Sequence, residues 1–436
     1  MISLGCPKNQ VDAEHMLALL EEAGCEIVDY FDGCDVLIIN TCGFIDDAKK
    51  EAIESILDAA EMKKENTVGK IIVTGCLSQR YKNEVISEIP EVDAVIGIGA
   101  NGDIVRIVGE LMNGSEPIEL YPPRSGLPLE GERMLTTPGY WAYLKIADGC
   151  SNHCTYCTIP GIRGEMRSRT LENIIDEARR LALGGVKELI LVAQDTTSYG
   201  CDIYGEPKLP ELLDRLSGIE GIEWIRMLYC YPDRITDELI ETIKTHDKVL
   251  DYIDLPLQHI NDGILSAMNR RGTSEDIRNV IARLRMEIPD IVIRTTFIIG
   301  FPGEGDDEFA ELVEFVNETE FDRLGCFAFS PQEGTPACDM EGAADEDTVA
   351  HRIETVMEDQ YEIIEVKNEE KIGRILRTVV ESYDPYTDSY TGRTYMDAPE
   401  IDGSVKFTSP RELDEGDFAD VRIFGVDEYD LLGEVI

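Results

Sequence analysis

Apolar residues along this chain fall into two repeating patterns. Short unbroken runs rich in β-branched residues, "DVLIIN" (35–40) and "KIIVTG" (70–75), lack polar alternation, as strands buried on both faces of a parallel sheet do. Between them, "FIDDAKKEAIESILDAAEMKK" (44–64) has helical apolar spacing, with acids early and lysines late to suit the helix dipole. "VDAEHMLALLEEAG" (11–24) is an earlier helix of the same kind, expected to stop at Gly24. Residues 1–120 therefore predict a small open α/β sheet. Five residues precede Cys6, so either the first strand is short or the start of the chain is misassigned.

Residues 121–139, "YPPRSGLPLEGERMLTTPG", are rich in Pro and Gly without a period and predict a linker. From 140 to 340 the strand–helix pattern resumes. The strands "AYLKIA", "ELILVA", "EWIRML", "DYIDLPL", "IVIRTTFIIG" and "RLGCFAFS" alternate with amphipathic helices such as "LENIIDEARRLALGG". Six such units predict a partial (β/α)6 barrel with its site at the strand C-termini. "EDTVAHRIETVMEDQYEIIEVKNEEK" makes 341–370 one long polar connecting helix. Residues 371–436 then switch to short alternating strands, "RTVVESY", "SVKFTS" and "DVRIFGV", which predict a small all-β barrel.

Composition narrows the setting. No apolar stretch reaches the roughly eighteen residues of a membrane span, and "MISLGCPKNQVD" lacks the basic and apolar regions of a signal peptide. The expectation is a cytoplasmic protein. Thiols stay reduced there, so twelve cysteines point to metal or catalysis rather than disulfides. Lys and Arg number 40 against 87 Asp and Glu, a net charge of −47. Such a surface repels nucleic-acid phosphates unless a local basic patch overrides it, and it attracts a basic protein. General acidity of a whole proteome would give the same number.

The cysteines carry the chemistry. Cys6, Cys42 and Cys76 each follow a predicted buried strand, "ISLG", "VLIINT" and "IIVTG", and loops beyond parallel strands converge on one sheet edge. A lone cysteine there would be an ordinary small buried residue, but three in register suggest a meeting of thiols. Cys150, Cys154 and Cys157 form C-x3-C-x2-C after "AYLKIADG". Structural zinc would need a fourth ligand, and paired C-x2-C knuckles are absent. His153 adjoins Cys154 and points poorly for the same metal, while a disulfide would leave one thiol over. An iron–sulfur cube with one open iron fits best.

With Tyr156 beside it, C-x3-C-x2-C resembles the radical S-adenosylmethionine signature. The resemblance implies that S-adenosylmethionine fills the open position and yields a deoxyadenosyl radical. "SLGCPKN", "INTCGFI", "TGCLSQRY", "DGCSNHCTYC", "IPGIRG" and "DLPLQH", in this order, resemble the methylthiotransferase family over nearly the whole chain. That implies an N-terminal cluster domain, a radical barrel and a C-terminal TRAM module. It also implies two 4Fe–4S clusters, with Cys6, Cys42 and Cys76 holding the second, where sulfur for a methylthio group is delivered. Further implied are Tyr156 and Gly300, in "FIIGFPGE" (297–304), as cosubstrate contacts, a low-potential donor such as flavodoxin or ferredoxin, and a sulfur source. A plain tight turn would equally explain Gly300, and capping or packing would equally explain Gln258 and His259. "GIGANG" (97–102) reads as a strand-to-helix turn rather than a nucleotide loop. Cys25, Cys34, Cys201, Cys230, Cys326 and Cys338 lack paired spacing.

Two branches of that family differ in substrate. One modifies an adenosine beside the tRNA anticodon. The other, the RimO type, modifies the β-carbon of an aspartate in the decoding-centre protein of the small ribosomal subunit. Residues 371–436 hold seven bases against fifteen acids, a net charge of −8. A tRNA-reading barrel needs a cationic face, whereas an acidic one suits a basic ribosomal protein. Clustering of the seven bases on one face would reopen the RNA reading. "GCPKN", with Pro7 where the tRNA branch typically has Gln, also resembles the ribosomal branch, which is the expected substrate class. A plain electron carrier or a zinc-stabilised binding module are the readings from other classes.

Overall fold

The structure, a computed structural model, describes residues 1–82, 84–123 and 130–436. Part of the expected linker, 124–129, lies outside those residues. Five parallel strands open the chain in the order β1 (Ile2–Ser3), β2 (Cys34–Thr41), β3 (Val68–Gly75), β4 (Ala94–Ile96) and β5 (Ile118–Leu120). Apolar side chains of β2 and β3 enter two cores, one on each face of the sheet, which is why these strands are apolar without alternation. Helix Asp46–Lys64 forms where its acids and lysines predict. The first helix, Pro7–Glu22, starts earlier than its apolar period suggests, because Cys6 adopts an extended N-cap conformation and Pro7 occupies the first turn. "GIGANG" falls in a 3-10 turn, Ile98–Asp103, leading into helix Ile104–Met112.

The central unit holds six parallel strands in two sheets. β6 (Trp141–Lys145), β9 (Glu188–Val192) and β10 (Trp224–Met227) form one, with the short antiparallel pair β7 (Ala147–Asp148) and β8 (Arg167–Ser168) falling between β6 and β9 along the chain. β11 (Tyr252–Gln258), β12 (Val292–Ile299) and β13 (Arg323–Ala328) form the other. The two join through Ile225, whose N–H reaches the Lys248 carbonyl at 2.7 Å. The result is the partial α/β barrel that the six predicted units imply.

Helix Glu346–Glu369 leads to a closed barrel of β14 (Ile375–Asp384), β15 (Ser389–Arg393), β16 (Val405–Thr408), β17 (Phe418–Asp427) and β18 (Asp430–Val435). This small barrel packs against the starts of the central strands. Lys187 donates to the Gly416 carbonyl at 2.7 Å, Arg393 pairs with Glu188 at 2.8 Å, and the Tyr252 hydroxyl reaches Asp402 at 2.7 Å. Trp224 meets Phe418 edge-on at 4.8 Å. The small barrel thus covers the end of the central barrel opposite the strand C-termini.

The chain between the first two units is anchored where it is described. Arg133, almost wholly buried, pairs with Glu14 of the first helix at 2.5 Å and Glu177 of the central unit at 2.7 Å. Composition marked this stretch as loop but could not show that it carries a buried ion triad.

Candidate active site: two thiol triads at one mouth

Cys6, Cys42 and Cys76 follow three adjacent strands in register: Ser3 lies beside Asn40, and Thr41 beside Gly75. Two buried asparagines fasten the loops. Asn9 donates to the carbonyls of Leu4 at 2.7 Å and Thr41 at 3.3 Å, and Asn40 donates to the Asn9 carbonyl at 2.7 Å. Close approach here requires glycine. A Cβ on Gly5 would stand 2.6 Å from Cys42 Cβ, and one on Gly75, whose φ is +98°, would stand 2.4 Å from the Thr41 carbonyl oxygen.

Cys150, Cys154 and Cys157 lie in the loop after β7, at the barrel mouth. The Cys150 N–H donates to the Gly164 carbonyl and the Cys157 N–H to that of Cys154, both at 3.0 Å. The Tyr231 hydroxyl lies 3.5 Å from Cys154 Sγ, and Arg270 sits beside the same thiol while its guanidinium covers the Tyr231 ring. His153 is exposed, with φ +52°, and faces Glu165 at 3.5 Å, away from this set.

Arg163 joins the triads. It closes the short helix Ile159–Arg163 that follows Cys157, and its Nη2 lies 3.7 Å from Cys76 Sγ. The same guanidinium pairs with Asp12 and Asp148, each at 3.0 Å, and Lys145 pairs with Asp12. Sequence reading flagged "IPGIRG" and "CPKN" only as motif wording; the roles of Arg163, Lys8, Asn9, Tyr231 and Arg270 emerge from their tertiary partners.

The thiols are electrostatically unlike. Burial pushes Cys76 and Cys157 up to about 12 and Cys150 up to about 11. Burial also raises Cys6, but the Lys8 and Arg163 charges and N–H groups of Asn9 and Lys8 outweigh it, so its pKa lies below the ordinary thiol value. Among the described residues no three His, Cys, Asp or Glu side chains gather tightly enough to hold one ion. Within each set the thiols lie close enough to act on one another, Cys6 and Cys42 on Cys76, and Cys154 and Cys150 on Cys157. Three thiolates are the donor set that a four-iron cube with one open iron would take.

Tyr156 packs edge-on to Phe301 at 6.5 Å, bringing the cysteine loop against the turn after β12. In that turn the Gly300 N–H already donates to Glu304 Oε2 at 2.9 Å, and a Cβ there would stand 2.3 Å from Val349 Cγ2. The turn and helix packing therefore account for this glycine by themselves. His259 is buried 3.6 Å from Glu304, and its Nδ1 accepts the Asn261 N–H. Gln258 is half-buried at φ +74°.

Comparison with known proteins agrees with this arrangement. Residues 144–316 match the radical SAM superfamily, residues 1–97 the family described as uncharacterized protein family UPF0004, and residues 372–436 the TRAM domain. A radical S-adenosylmethionine methyltransferase, TsrM from Kitasatospora setae, shares the fold with a TM-score of 0.57 over 77% of this chain and 74% of that one, at 14% identity. Together with the relatives that follow, these modules define a radical SAM methylthiotransferase. The ribosomal protein uS12 methylthiotransferase RimO of Acetivibrio thermocellus is 49% identical over 100% of this chain and 98% of its own length. The protein of the same name from Caldanaerobacter subterraneus is 50% identical, over 100% and 99%. The chain belongs to this RimO family.

Proposed function

We propose that this enzyme adds a methylthio group to the β-carbon of an aspartate in the small-subunit ribosomal protein uS12. The observation that carries the reading is identity near 50% with RimO proteins over the full chain, supported by Arg163, which reaches from the second cysteine loop to within 3.7 Å of Cys76. Cys150, Cys154 and Cys157 hold one 4Fe–4S cluster, and Cys6, Cys42 and Cys76 a second. When bound, these clusters and S-adenosylmethionine supply radical and sulfur-transfer chemistry that no side chain provides. The chain's own residues do the rest. Asn9 and Asn40 hold the first triad's loops, Arg163 fixes its distance from the second, and burial keeps water from the mouth. Tyr156 and the Gly300 turn flank the cosubstrate.

Charge supports a protein substrate over tRNA. Of the seven bases in 371–436, Arg374 and Arg377 pair with Asp290 and Glu223 of the central unit. Arg393 is buried against Glu188, while Lys406 and Arg422 pair with acids of the small barrel itself. Lys371 and Arg411 form no ion pair among the described residues, but two cations against fifteen acids make a poor phosphate-binding face, and a basic ribosomal protein meets the acidic surface favourably. A cytoplasmic location follows from that substrate and accords with the described helices, none of which is long and apolar enough to cross a membrane. Electrons come from a flavodoxin or ferredoxin, and sulfur from a separate source.

The test is a cysteine series under anaerobic reconstitution. Replacing Cys150, Cys154 or Cys157 with Ala abolishes reductive cleavage of S-adenosylmethionine. Replacing Cys6, Cys42 or Cys76 spares that cleavage, halves the iron and stops thiolation. Thiolation surviving in the second set contradicts the two-cluster assignment.

A further inference from the structure

We propose that Lys8 is the receptor for the side-chain carboxylate of the target residue. Lys8 lies in the first turn of helix Pro7–Glu22, two residues after Cys6, and is 6% exposed. Its ammonium stands 3.2 Å from the centroid of the Tyr229 ring. Tyr229 follows β10 at the barrel mouth, and Tyr231, two residues on, touches Cys154. The ammonium therefore lies between the two thiol triads.

What sets Lys8 apart is the absence of a carboxylate partner among the described residues. Most other buried cations have one, such as Lys145 with Asp12, Arg133 with Glu14 and Glu177, and Arg352 with Glu304; Arg270, which also lacks one, donates instead to the Pro256 carbonyl at 2.6 Å. The nearest acids to Lys8 are committed elsewhere. Asp254 accepts from Arg294 at 3.1 Å and from the Tyr229 N–H at 2.8 Å. Asp148 accepts from Arg163 at 3.0 Å and from the Gly149 N–H at 2.9 Å. The opposite charge that acts most on Lys8 is the Cys6 thiolate, which the cluster would claim. In a chain with 87 acids and 40 bases, a buried ammonium without a carboxylate of its own is costly unless a ligand completes it. An aspartate side chain entering the mouth supplies that charge. Holding its carboxylate also fixes the adjacent β-carbon, the atom to be modified, between the triads. Such a site rejects the uncharged amide, because the ammonium then stays unpaired.

This inference rests on the substrate reading above, so the experiment separates the two. The reconstituted enzyme, without reductant, is titrated with fluorescent peptides spanning the target loop, carrying Asp or Asn at the target position. The wild type binds the Asp peptide about tenfold more tightly. In Lys8→Met that preference disappears while the Asn peptide binds as before, and Lys8→Arg keeps the preference. Iron content and circular dichroism establish that each variant is folded. Equal preference in Lys8→Met and wild type overturns the assignment and leaves the substrate reading standing. A wild type that binds both peptides equally overturns it whatever the variants do. A wild type that binds neither overturns both.

Discussion

His15 shows what burial does to a single group beneath the site. Its Nδ1 donates to the Glu132 carbonyl at 3.1 Å, its Nε2 has no partner, and burial lowers its pKa from 6.5 to about 4. The folded protein therefore binds fewer protons than the unfolded chain between those values. Its contribution is complete above about pH 6.5 and is lost as pH falls towards 4, up to about 3 kcal/mol. Denaturant titrations of wild type and His15→Gln should differ in slope across that window; parallel curves would contradict it. Legibility differs residue by residue. The placement of the six cysteines after strands and in one loop was readable, because thiol spacing and strand position are local. His15, Lys8 and Arg163 were not, because what makes them unusual is which groups, over 80 residues away in several cases, do or do not face them.

Among the elements, the short helix Ile159–Arg163 matters most. Ile159 and Pro160 start it directly after the cysteine loop, Gly164 ends it at φ +81°, and its last side chain crosses to the other triad. Removing that guanidinium leaves Asp12 and Asp148 short of a buried counter-charge, at about 3–5 kcal/mol. Arg163→Ala should lower the unfolding midpoint and lose iron from the Cys76 side first, read by denaturation and iron analysis. Unchanged stability with full iron would remove its bracing role. Strands and helices of both α/β units were legible because their apolar periods are unambiguous. The early start of the first helix was not, because Cys6 and Pro7 set it against the period.

In the whole molecule the partial central barrel is flanked by another unit at each end. The N-terminal sheet brings its thiols to the strand C-termini, and the small barrel seals the strand starts through Glu188, Trp224 and Tyr252. The fold classes and their order could be read from the sequence, but the seat of the small barrel could not. Its contacts join alternating strands to ion pairs with no sequence period. That seat engages three of its seven bases, Arg374, Arg377 and Arg393, with acids of the central unit.

Substrate choice is the central claim, and one anaerobic assay tests it. Reconstituted enzyme with dithionite and S-adenosylmethionine is offered a peptide spanning the ribosomal aspartate loop and, in parallel, an isopentenylated anticodon stem-loop. Mass spectrometry should find a gain of about 46 Da, one methylthio group replacing hydrogen, on the peptide alone. A gain on the RNA alone would contradict the account, since phosphates would then be bound by a small barrel whose bases are mostly paired and outnumbered two to one by acids.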